Sequence, residues 1–197
     1  MPEATIGLRE RKKLKTRAAI QREAMRLFSE KGFQATTIEE IAEAAEISPS
    51  TFFNYFPSKD ALVLEDDLDP VIIAAFNAQP ADLHPVAALR NAMRAVFADL
   101  PPEQELMLRQ RTALIAADPE LRAVMLDQFT GLVDQVAEIL AARLGKTGKD
   151  FRTRNLAGAL IGVVMATLLA AADQPGADLV QLMDDAMAHL EAGLPLA

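Results

Sequence analysis

Apolar residues recur every three or four positions along nearly the whole chain, and no stretch alternates apolar with polar between turn signals. The pattern predicts an all-α protein. A first helix is expected over residues 14–31, with Ile20, Ala24, Leu27 and Phe28 on one side and Gly32 as its stop. Thr37 followed three residues later by Glu40 forms a capping box, so a second helix opens ahead of Ile38, Ile41 and Ala42 and ends near Ala45. After a three-residue turn, Ser48 caps a short third helix with Pro49 at its first position, where the missing N–H costs nothing. Ser58 caps a fourth helix that carries Lys59, Ala61, Leu62 and Leu64 up to Asp69-Pro70. Longer helices are expected over residues 85–100, 102–117, 119–144 and 151–172, and a last one over 178–192. Breakers separate them: Pro101-Pro102, Asp118-Pro119, Gly145 to Gly148, and Gln174-Pro175-Gly176.

Helix, tight turn, helix is a recognisable module. On a wheel of 100° per residue Phe52 and Phe56 fall together, while Ser50, Thr51, Asn54 and Tyr55 point away. Six of the ten aromatics lie between Phe28 and Phe56, more than the outside of so small a module needs. Phe28, Phe33, Phe52 and Phe56 are therefore its expected core. Phe53, on the border, either packs inward or meets a thymine methyl. A short second helix after such a turn fits a major groove about 12 Å wide and presents its N-terminal residues to base edges. Thr37, Ser48 and Lys59 stand at helix starts, where an anion is favoured, although each also serves as an ordinary cap.

Charge sharpens this division. The net charge of −8 splits into +1 over residues 1–60 and −9 over the remainder. Arg9, Arg11, Lys12, Lys13, Lys15 and Arg17 stand against Glu3 and Glu10 in the first 17 residues. Such a basic arm, with Arg9, Lys12 and Lys13 as its candidate contacts, suits the minor groove or the phosphates; its bland alternative is a solvated tail. The first residues do not form a secretory signal, and a cytoplasmic location is expected.

The composition argues against catalysis. The chain has no cysteine, and His84 and His189 stand 105 positions apart without clustered carboxylates, so neither a metal centre nor a cofactor site is expected. No GxGxxG, GxxxxGK[ST] or HExxH is present. An enzyme with an all-helical active site is thus the rival that fits worst. A helical adaptor that binds protein through the same exposed helix is a further alternative.

In the second half, residues 156–172 carry no charge, and a helix apolar on every side is expected to be buried on every side. The stretch is too short and too rich in alanine to suggest a membrane span. Gly158, Gly162 and Ala166 repeat at intervals of four and would let another helix approach closely. With Leu182, Met183 and Met187 of the last helix, they are the expected interface of a homodimer; a core helix in a monomer is the alternative. Arg111 falls among apolar neighbours and needs a partner, either an internal carboxylate or the anionic group of a ligand. Arg122 is a second candidate cation. Met93, Phe97, Met107, Met125, Phe129 and Met165 are the adaptable side chains expected around an elongated apolar ligand, or else plain core.

The segment TTIEEIAEAAEISPSTFFNYFPSKDAL, preceded by AAIQREAMRLFSEKGF, resembles the DNA-binding domain of the TetR family of bacterial transcriptional regulators over about 45 residues. The resemblance implies an N-terminal three-helix helix-turn-helix domain (residues 1–57) and a larger helical ligand-binding and dimerisation domain (58–197). It also implies a ligand-responsive regulator, most often a repressor, binding double-stranded palindromic operator DNA as a homodimer. DNA-contacting roles then fall on Thr37, Ser48, Thr51, Phe53, Tyr55 and Lys59. This chain departs from the family where glycine is frequent, at Glu46 and Ser50, and where tyrosine is frequent, at Phe53. A left-handed Glu46 would cost about 1 kcal/mol. More loosely, residues 111–145 resemble the C-terminal domain of members that sense acyl-CoA-like molecules. A bound effector would then shift the fourth helix and alter the spacing of the two recognition helices.

Overall fold

Three side-chain caps organise the first part of the chain. The structure, a computed structural model, describes residues 7–65, 68–146, 150–172, 174 and 176–196. Helix α1 spans Leu8–Lys31 and stops at Gly32, whose φ of +85° suits glycine and whose N–H donates to the Phe28 carbonyl. The expected capping box opens α2 (Ile38–Ala44): Thr37 Oγ1 accepts from the Glu40 N–H at 3.2 Å, and the Thr37 N–H donates to Glu40 Oε2 at 2.8 Å. Ser48 Oγ likewise accepts from the Thr51 N–H at 3.1 Å and opens α3 (Pro49–Phe53). Glu46, in the turn between them, is left-handed with φ +56°. Ser58 Oγ accepts from the Ala61 N–H at the start of α4 (Ala61–Leu64).

These helices belong to one compact unit that ends at Glu65. Phe28, Phe33, Phe52 and Phe56 are its buried core, together with Ile20, Ile41 and Leu62. Two cations brace it. Arg17 donates to the Tyr55 carbonyl (3.0 Å) and to Glu65 Oε2 (2.9 Å), with its guanidinium 4.1 Å from the centre of the Phe56 ring. Lys59 Nζ donates to the carbonyls of Phe33 (2.8 Å) and Thr36 (3.0 Å) and lies over the Phe33 ring.

The second unit, residues 66–197, contains α5 (Asp69–Asn77), α6 (Pro85–Ala98), α7 (Pro102–Ala117), α8 (Pro119–Asp127), α9 (Phe129–Leu144), α10 (Phe151–Ala172) and α11 (Leu179–Glu191). Its core lies where α5, α6, α9, α10 and α11 meet, with Phe76, Val86, Leu140, Leu160, Met183 and Met187 buried there. Arg90 on α6 grips Asp184 on α11 through two hydrogen bonds of 2.8 Å and reaches Glu191 at 3.4 Å. The Arg143 guanidinium on α9 donates to the carbonyls of Phe76, Gln79, Pro80 and Leu83, tying down the end of α5 and the segment that follows. Gly145 closes α9 in the left-handed conformation at φ +63°.

Four expectations need correction. Helix α1 begins six residues earlier than the pattern suggests, so Arg9, Lys12 and Lys13 sit on its first turns and not on a flexible arm; Leu, Arg and Lys are good helix formers, and their charge misled. The fourth helix ends at Leu64, and Pro70, expected as a stop, instead stands in the first turn of α5. Residues 119–144 form two helices broken at Gln128, which no glycine or proline marks. Met183 and Met187, assigned to a pairing surface, lie in the core of their own unit. Of the expected breakers, Gly148 and Pro175 lie outside the described residues, as does Glu3.

Candidate nucleic-acid interface

Helix α3 has one face sealed and one face open because Phe52 and Phe56 are wholly buried while the residues between their turns are not. Ser48, Ser50, Phe53 and Asn54 are exposed, and Thr51 and Tyr55 are half-buried. The hydroxyls of Ser48 and Thr51 lie 2.8 Å apart, and those of Ser48 and Ser50 3.1 Å apart. This short row of rotatable donors and acceptors sits beside the Asn54 amide. Such groups can match either sense of hydrogen bond on a base edge.

Thr37 is exposed at the mouth of α2, its hydroxyl donating to Glu40 Oε2 at 3.1 Å. The Lys31 ammonium, with the Thr37 N–H, holds the Glu40 carboxyl at about 2, well below its ordinary value, so Glu40 stays anionic and the cap stays closed. Arg9, Lys12 and Lys13 are exposed near the start of α1, with Arg11 and Lys15 beside them. Lys59, by contrast, is half-buried and has two of its three N–H groups engaged with Phe33 and Thr36, so it braces the unit where an open phosphate contact was expected. Arg17 was not anticipated as a brace. A signal existed, since Arg17 falls on the same helical stripe as Ile20, Ala24 and Phe28, and a cation there needs a partner.

The residues expected around a ligand are spread over the second unit. Arg111 is 9% exposed and is not without a partner. Arg122 donates to the Ala116 carbonyl near the end of α7. Met93 is buried, and Phe97, Met107, Met125, Phe129 and Met165 are half-buried. Met93 and Phe97 line a cleft between α6 and α11 with Arg90, Arg94 and Asp184. Its cavity is about 10 Å³, the room of a single water and far short of an elongated ligand. The Arg90 guanidinium holds the Asp184 carboxyl below the usual carboxylate range.

On α10 one side packs against α7, α9 and α11, while Ala159, Gly162, Ala166 and Leu169 are exposed and Gly158 is half-buried. The expectation of burial on every side fails within one chain. A Cβ placed on Gly158 or Gly162 would meet nothing within 4 Å, so no internal packing demands glycine at either position. Leu182 is half-buried. By length and composition alone α10 is long enough to cross a membrane. Among the described residues, no group of acidic, histidine or cysteine side chains is arranged to hold a metal.

Comparison with known proteins gives two family matches. Residues 20–65 match "Bacterial regulatory proteins, tetR family", and residues 83–195 match "MftR C-terminal domain". The transcriptional regulator TcmR of Streptomyces glaucescens is 36% identical over 156 residues, which cover 75% of this chain and 69% of TcmR. RutR of Escherichia coli K12, also a transcriptional regulator, is 32% identical over 151 residues, covering 74% and 69% of the two chains. The solved structure of the repressor FadR of Thermus thermophilus, in complex with lauroyl-CoA, superposes with a TM-score of 0.55 at 31% identity, covering 92% of this chain and 96% of that one.

Proposed function

Because this chain belongs to the TetR family, whose members are transcriptional regulators and not enzymes, we propose that it is a repressor that binds a palindromic operator as a homodimer and leaves it when a small effector binds. The single observation that carries the reading is the open edge of α3 from Ser48 to Tyr55, set by two side-chain caps on a sealed aromatic core. Arg9, Lys12 and Lys13 add sequence-independent attraction to the phosphates from the first turns of α1. A regulator that binds operator DNA in a bacterium acts in the cytoplasm.

Pairing rests on α10. Its exposed apolar face carries two glycines at which an added Cβ would meet nothing within 4 Å, and two copies of such a face can approach closely about a two-fold axis, with Leu182 of α11 at the margin. Two recognition helices related in this way read half-sites one helical turn apart. The effector is an elongated apolar molecule, acyl-CoA-like by the example of FadR, seated among Met93, Phe97, Met107, Met125, Phe129 and Met165 with Arg111 or Arg122 toward its anionic end. The α6–α11 cleft, at about 10 Å³, is too small for it, so an effector entering there would select a more open conformation.

In vitro selection from random duplexes with the full chain tests this directly. Enrichment of a two-fold symmetric sequence, protected in two half-sites about one helical turn apart, is the expected result. Recovery of no sequence above background, or sedimentation as a monomer at micromolar concentration, contradicts it. Thermal-shift screening against acyl-CoAs, free fatty acids and flat aromatic compounds then identifies the effector class, and the effective compound must also release the duplex.

A further inference from the structure

Arg17 holds two distant points of its unit at once. Nη1 donates to the Tyr55 carbonyl, 38 positions on, and Nη2 to Glu65 Oε2, 48 positions on, while the guanidinium lies over the Phe56 ring. Tyr55 directly follows the C-terminal cap of α3, and Glu65 follows the last turn of α4 and is the last residue of the unit. A single planar fork on α1 therefore joins the end of α3 to the residue from which the chain leaves for the second unit.

This tie does what the rest of the unit does not. A helix of five residues has few bonds of its own to fix its direction, and its start is set only locally, by the Ser48 cap. Burial of Phe52 and Phe56 holds α3 against the core, but apolar packing is non-directional. The hydrogen bond from Arg17 to the Tyr55 carbonyl is directional and charge-assisted, and it comes from another helix. Glu65 in turn sets the plane of the fork, since a guanidinium fixed on a carboxylate has one way left to present its other N–H. The Glu65 side chain is 45% exposed, so the ion pair adds little to stability. Its effect is on aim.

We propose that Arg17 is a positioning residue for operator binding, and that its ion pair with Glu65 couples the aim of α3 to the exit of the unit. The proposal rests on the operator-binding reading above. Drawing Glu65 away frees the fork and loosens the end of α3, although no residue of the exposed edge is touched.

Glu65→Gln separates this from simple electrostatics, because the two predict opposite signs. Removing one negative charge should by itself tighten binding to every duplex. Loss of aim should weaken binding to the selected duplex alone. Affinities of the full-length protein, Glu65→Gln, Arg17→Lys and the double variant are measured on the duplex recovered by selection and on a scrambled duplex of equal length, at one salt concentration. A hydrogen bond to a charged group is worth about tenfold in an equilibrium, so Glu65→Gln is expected to weaken the selected duplex about tenfold. Binding to the scrambled duplex should stay level or tighten slightly. Arg17→Lys, which keeps the charge and gives up the fork, should fall about as far, and the double variant no further than the weaker single one. Melting curves should show Glu65→Gln folded as stably as the unaltered chain. Undiminished affinity of Glu65→Gln for the selected duplex, equal losses on both duplexes, or losses that multiply in the double variant overturn the proposal and leave the operator reading standing. Failure to select any duplex overturns both.

Discussion

The two units of this chain are built by different rules. In the first, the caps are local: Thr37 with Glu40, Ser48 with Thr51, and Ser58 with Ala61 are each three positions apart, and four phenylalanines, braced by Arg17 and Lys59, seal what the caps aim. In the second, Arg90 finds Asp184 across 94 positions, Arg143 fastens carbonyls 60 to 67 positions away, and α10, uncharged over residues 156–172, keeps an open side. A surface that must present the same atoms to a rigid duplex gains from local, over-determined geometry. The second unit is held instead by a few long-range clasps.

Breaking the sealed core should separate the units most strongly. Phe52→Ala is expected to cost about 3–5 kcal/mol and abolish DNA binding. Hydrogen exchange should show the loss of protection confined to residues up to Glu65; equal loss over α6 and α11 would erase the contrast.

Next in size is the clasp. Arg90→Ala leaves the mostly buried Asp184 with only a longer contact to Arg94 and should cost about 2 kcal/mol. Because Arg90 depresses the Asp184 carboxyl in the folded state, its contribution is complete above the ordinary value of 3.8 and is lost as pH falls below it. Melting temperatures recorded from pH 6 down to pH 3 should therefore fall less steeply for Arg90→Ala than for the unaltered chain.

Two smaller changes probe the caps. Thr37→Ala removes the hydroxyl of the box and should cost about 1 kcal/mol in thermal melts, with a larger effect on operator affinity than on stability if the start of α2 meets phosphate. Glu46→Gly should stabilise slightly. Relief of a left-handed side chain, about 1–2 kcal/mol, outweighs the added freedom of glycine in the unfolded chain, about 0.5–1 kcal/mol, leaving roughly 0.5 kcal/mol.

The same contrast explains what could be read from the sequence. The all-α class, both caps of the helix-turn-helix, the four buried phenylalanines and the exposure of Ser50 and Asn54 all follow from neighbours within one or two turns. What escaped was either nonlocal or ambiguous. Nothing near Lys59 announces carbonyl partners 23 and 26 positions back. Leu182, Met183 and Met187 are all apolar, and packing against α6 and α10, elements distant in sequence, decides that Met183 and Met187 turn inward. Pro70 can stop a helix or start one, and the pattern alone favoured the wrong choice. The run from Arg9 to Lys15 combines high charge with high helix propensity, so it suits a basic arm and a first helical turn equally, and it forms the latter.

The central claim is that the open edge of α3 reads bases, and the specificity ratio measures it most directly. Affinities for the selected duplex and for a scrambled duplex of equal length are compared, at one salt concentration, between the unaltered protein and the double variant Ser50→Ala, Asn54→Ala, whose exposed positions leave the core intact. The account predicts a loss of about tenfold to a hundredfold per half-site on the selected duplex and no change on the scrambled one. Equal losses on both duplexes, or none on either, would contradict it.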